Sequence, residues 1–69
     1  MNENWYEVWA DQGLARPYVL LVEPKQDGGV MVFDPKEDRV IHEADDYESA
    51  THWLLEDEYR CVIGRMIRD

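Results

Sequence analysis

Cysteine is nearly missing from this chain: Cys61 stands alone among 69 residues, so no intramolecular disulfide can form, and no Cys/His grouping has zinc-finger spacing. A chain this short buries only about 60% of the surface that its unfolded form exposes, so packing alone or association has to hold it together. Doing without disulfides suits a reducing compartment, and a cytoplasmic protein is expected. Long apolar runs are missing too. No window approaches 18 uninterrupted apolar residues, and the opening "MNENWYEVWA" has neither a basic n-region nor an apolar h-region, so neither a transmembrane helix nor a signal peptide is expected. There is no Gly-rich phosphate loop either, since Gly28-Gly29 fits a hairpin and Gly64 stands alone; no cofactor is expected.

Basic residues are scarce. Seven Lys and Arg face sixteen Asp and Glu, for a formal charge of −9. The imbalance sits in the middle of the chain: residues 34–58 carry ten acids and two bases, whereas residues 59–69 carry one acid and three bases. A field of this sign repels phosphate backbones and anionic lipid, which argues against nucleic-acid or membrane binding and favours a basic protein partner. It also serves solubility by itself.

What is present is apolar enough to fold. The apolar fraction is 45%, with three Trp and four Tyr, which is the composition of one globular domain over residues 1–69 and not of a disordered tail.

The periodicity predicts an α+β domain. "WYEVWA" (5–10) alternates Trp5, Glu7 and Trp9 against Tyr6, Val8 and Ala10, and "YVLLVE" (18–23) is an apolar run of strand length stopped at Pro24. Asp27-Gly28 supplies hairpin-turn chemistry, so 18–23 should pair antiparallel with "VMVF" (30–33). An Asp34-Pro35 turn then leads into "RVIHE" (39–43), a further strand of the meander. "ADDYESATHWLLEDE" switches to a period of 3.6: Asp45 followed by Glu48 matches a capping box, and Tyr47, Ala50, Trp53 and Leu54 share one face of a helix over about residues 46–57. "YRCVIGRMI" returns to strand character. The expected architecture is therefore an antiparallel sheet of four to five strands with one helix on one face, in the order β-β-β-β-α-β.

Three acids, Glu56, Asp57 and Glu58, close the predicted helix. The macrodipole is negative there, so each anion costs roughly 0.3–1 kcal/mol. Three arrangements are compatible with that placement: the helix stops early and the acids form a polar turn; Arg39, Arg60 or Arg65 neutralises them; or they contact something outside the chain.

No active site assembles from the residues, and catalysis is not expected. Glu48, His52 and Glu56, spaced four apart, share one helical stripe and are the candidate metal ligands, a set that any short, highly charged helix often shows. His42 and Glu43 point to opposite faces of a strand, and Cys61 in its apolar strand reads as an inert buried thiol. Binding remains. One helix covers one sheet face, so a first strand apolar on both sides leaves something greasy in water. Trp5 and Trp9 are the candidate apolar anchors, with the opposite assignment, Tyr6 outward, left open by the periodicity. Asp45, Asp46, Glu56, Asp57 and Glu58 are the candidate steering acids. The functional expectation is a noncatalytic acidic module binding a basic partner, with three alternatives: a metal or small-ligand site on the Glu48/His52/Glu56 face, an inhibitor or immunity-type protein mimicking nucleic acid, which needs its acids on one continuous face, and homodimerisation through the uncovered face.

Overall fold

The computed structural model describes residues 4–11, 13 and 16–68. Five strands, β1 (Trp5–Asp11), β2 (Val19–Pro24), β3 (Val30–Asp34), β4 (Arg39–Ala44) and β5 (Tyr59–Ile67), and one helix, α1 (Tyr47–Glu56), follow one another as β-β-β-β-α-β. The expected fold is present. All neighbouring strands are antiparallel, in the order β4-β3-β2-β1-β5: the first four form a meander, and α1 carries the chain across the sheet so that β5 pairs with the far side of β1.

The β2–β3 hairpin closes through Lys25 N–H to Gly29 O (2.8 Å), with Gly28 at φ +95. Glycine is needed there because that φ is one that side chains resist. Asp27 contributes by accepting the Gly29 N–H on its carboxylate. The β3–β4 turn is built by Asp34, whose carboxylate accepts the N–H groups of Lys36 and Glu37.

The helix begins one residue later than the capping box predicts. Asp46, not Asp45, is the N-cap, with an extended backbone and a carboxylate that accepts Ser49 N–H at 2.7 Å. Bonding to Ser49 holds the Asp46 carboxyl below the usual carboxylate range. Two adjacent aspartates make this frame ambiguous in sequence. Ala50 and Leu54 are fully buried, and Trp53 leans on the same core.

The first strand faces the other way from the expectation for Trp5 and Trp9. Both are 5% exposed and lie in the core beneath the helix with Leu20, Val22, Val30, Val32, Ala50 and Leu54. The pairing explains it, because Trp9 shares a row with Leu20, and Glu7 with Val22 and Val32, on the side where α1 lands. Neither tryptophan is a surface anchor.

The opposite face carries two adjacent rows. One runs Ile63, Val8, Leu21, Phe33, Val40 across all five strands; the other contains Met66 beside Tyr6, and Met31 between Glu23 and Glu43. Strand β5 slips register twice against β1, between Tyr6 and Val8 and between Val8 and Trp9, and so bends along its length.

Candidate functional site

Because Glu7 sits between two buried tryptophans, its side chain goes inside with them and is only 6% exposed. Such a group must be fully bonded. It accepts from Trp9 Nε1 (3.1 Å) and from the Tyr47 hydroxyl (2.8 and 3.0 Å), and Arg65 Nε stands 3.5 Å from Oε2. Arg65 reaches it by lying over the Trp5 ring at 3.7 Å and near the Tyr47 ring at 5.1 Å. Burial and the bond to Glu7 push the Tyr47 hydroxyl up to about 12. Every polar contact here is satisfied within the chain, so the cluster fastens α1 and β5 to β1.

The acidic triplet lies at the other end of the helix. Glu56 is the last helical residue, Asp57 is the C-cap, and Glu58 takes φ +65, the left-handed position usually given to glycine. The last turn contains no basic residue. The first of the three arrangements, a turn, therefore describes the backbone of Asp57 and Glu58. Among the described residues, no cation comes within ion-pair distance of Asp57 or Glu58, and four of the bases are engaged elsewhere. Lys25 pairs with Asp27 and Glu43, Arg65 with Glu7 and Arg68 with Glu23, while Arg60 bonds the Tyr59 carbonyl.

Tertiary structure adds acids to the triplet that are distant in sequence. Asp11, at the end of β1, pairs across with Tyr59, and a Cβ on Gly13 would lie 3.3 Å from Asp11 Oδ1 and 3.5 Å from Glu58 Oε2, so these two carboxylates flank the glycine. Asp34 receives the Tyr18 hydroxyl at 2.6 Å. Burial alone would raise the Asp34 carboxyl, but the bonds from Tyr18, Glu37 and Lys36, with Arg39 nearby, leave it below the usual range. The bond to Asp34 in turn drives Tyr18 up to about 12. Burial first, then Asp11, Asp57 and Asp34, also raise Tyr59. One end of the sheet is thus acidic. The position of Asp11 and Asp34 at strand ends was the available signal, and only the strand order could put both at this end of the sheet, with Asp11 beside Glu58.

Asp45 and Asp46 stand at the opposite end of α1, roughly 15 Å away for a ten-residue helix. The steering acids are therefore two groups. Of the candidate metal ligands, His52 and Glu56 form an exposed pair at 3.2 Å, and among the described residues no three His, Cys, Asp or Glu side chains converge as ligands. A shallow dent lined by Asp46, Glu48, Ser49 and His52 lies nearby. His42 stacks on Trp53 with centroids 4.1 Å apart, a structural role. Cys61 is exposed, contrary to the buried thiol expected, because β5 is an edge strand. Partial burial and Glu7 push its thiol up, away from the thiolate that a nucleophile needs.

Among the described residues no helix is long and apolar enough to cross a membrane. No protein-family model matches the chain, and neither a curated protein nor a solved structure matches it.

Proposed function

We propose that the chain is a noncatalytic acidic interaction module whose Glu56, Asp57 and Glu58 end meets a basic surface of another protein. The observation that carries this reading is a local conflict. Two costs coincide at one helix end: acids at the negative pole of the dipole, and a non-glycine residue at φ +65. A sequence shaped by stability alone would place Gly at 58 and Lys or Arg in the last turn, and functional sites are among the places where such conflicts are kept. Asp11 enlarges the negative patch beside Glu58. Asp45 and Asp46 contribute to the long-range field that steers a cationic partner. The helix length between the two acidic groups favours a local contact over an extended phosphate-like track. The Glu48, His52, Glu56 metal alternative draws no support from the geometry, since His52 is paired to Glu56 alone.

The test is capture from the native cell extract at low and high salt, with Glu56→Lys plus Glu58→Lys as control. A basic protein held by the wild type should bind at least roughly tenfold more weakly after the reversal and dissociate as salt screens the contact. Affinity indifferent to both salt and reversal would sink the proposal.

A further inference from the structure

We infer that the sheet face opposite the helix is a self-association surface, on which a second copy of this chain packs sheet against sheet about a two-fold axis. The row Ile63, Val8, Leu21, Phe33, Val40 is apolar across all five strands, and Met31, Met66 and Tyr6 extend it in the next row. Among the described residues no element packs over it, because the single helix lies on the other side, where Ala50 and Leu54 join Trp5, Trp9, Leu20, Val22 and Val32. Val40, Ile63 and Met66 are left 39%, 48% and 46% exposed.

Charge selects the occupant. The ionic groups in and beside these rows are already paired in the chain: Glu23 with Arg68 at 2.6 Å, the guanidinium lying 4.7 Å from the Tyr6 ring, and Glu43 with Lys25 at 2.6 Å. Arg60 lies beyond them, in the row of Ala10 and Val19. Asp57 and Glu58, which have no cation within ion-pair distance among the described residues, lie at the end of the helix instead. A basic partner finds no carboxylate to neutralise on this face, whereas a second copy brings the same neutral apolar rows and keeps both acidic ends outside.

Area supports the same occupant. Five strands spaced about 4.8 Å apart and averaging some 20 Å in length present roughly 500 Å² in projection, and side-chain relief brings this toward the ~800 Å² per partner of a stable interface. The edges offer a poorer route. Strand β5 is bulged twice and carries Arg60 and Arg65, features that blunt edge-to-edge pairing. Face-to-face packing at about 10 Å would give this small domain a second core.

Sedimentation of the full chain across two decades of concentration, up to the millimolar range, tests the proposal. The wild type should be a dimer, and Val40→Lys plus Ile63→Lys, both at exposed positions, should weaken it at least roughly tenfold. Leu55→Lys, on the exposed side of the helix, should leave dimerisation unchanged. Met66→Lys repeats the test should the double variant lose its circular-dichroism signature. Added salt should tighten the dimer by screening two chains of charge −9, the opposite sign to binding of a basic partner, so either proposal can fail alone. A monomer throughout the range overturns the inference, whoever else occupies the face, and so does a wild-type dimer that survives the face variants or loosens with salt.

Discussion

Glu7 and Glu58 bear the same carboxylate into opposite circumstances. Glu7 is buried beside two tryptophans and has collected an indole N–H, a tyrosine hydroxyl and a guanidinium. Glu58 is exposed, held at φ +65 beside two further acids, and has no cation within reach among the described residues. The difference teaches how a chain with seven bases and sixteen acids spends its cations. Two of them, Arg65 and Arg68, go to Glu7 and Glu23, whose side chains are 6% and 13% exposed, where an unpaired charge costs most because water is excluded; Lys25 instead pairs with the exposed Asp27 and Glu43. Where water solvates the carboxylate, as at Glu58, an unpaired charge costs little.

Substitutions at the two places should therefore differ in sign as well as size. The largest effect is expected at Glu7→Ala, which strands the Trp9 indole N–H and removes the partner of Arg65 and Tyr47. Urea denaturation should show a loss of about 3 kcal/mol. A loss below about 1 kcal/mol would mean that the pocket is not the fastening point described above.

Tyr47→Phe sharpens the same side of the comparison. It should cost about 1 kcal/mol, discounted because the tyrosine is partly exposed. Its pH signature has a definite sign: a hydroxyl value raised in the folded state to about 12 contributes stability that is whole below the unfolded value of about 10 and is lost as pH rises between them. Alkaline absorbance titration should show Tyr18 and Tyr47 ionising late in the wild type, and one fewer late tyrosine in the variant. An unchanged late phase would contradict the Tyr47 to Glu7 bond.

The smallest effect runs the other way. Glu58→Gly should stabilise the fold by up to about 1 kcal/mol, since glycine adopts the left-handed position without strain and an anion leaves the negative helix end. If the triplet is the contact site, this stabilised variant also binds its basic partner more weakly. A destabilised Glu58→Gly would show that the carboxylate supports the fold, and would remove the conflict on which the proposed function stands.

Much of this architecture was legible beforehand. The hairpin followed from Asp27-Gly28, and Ala50, Trp53 and Leu54 marked the inner helix face at the right spacing. The misses have specific causes. Asp45 and Asp46 are adjacent, so the cap frame could slip by one, and the exposure of Cys61 depends on β5 being an edge strand, which no local pattern states. Of the candidate site, the triplet was visible as a run, while its neighbour Asp11 was not, because it arrives from the end of another strand.

By itself the sequence determined the order of the elements, the turn chemistry and the excess of acid, since these depend on neighbours within a few residues and on a sum over the chain. Only the tertiary structure decided which side of the first strand is inside. A period of two has two equivalent faces, and both were apolar. The choice fell to where α1 crosses the sheet, and with it Trp5, Glu7 and Trp9 went into the core while Tyr6 and Val8 were left on the face still open to a partner.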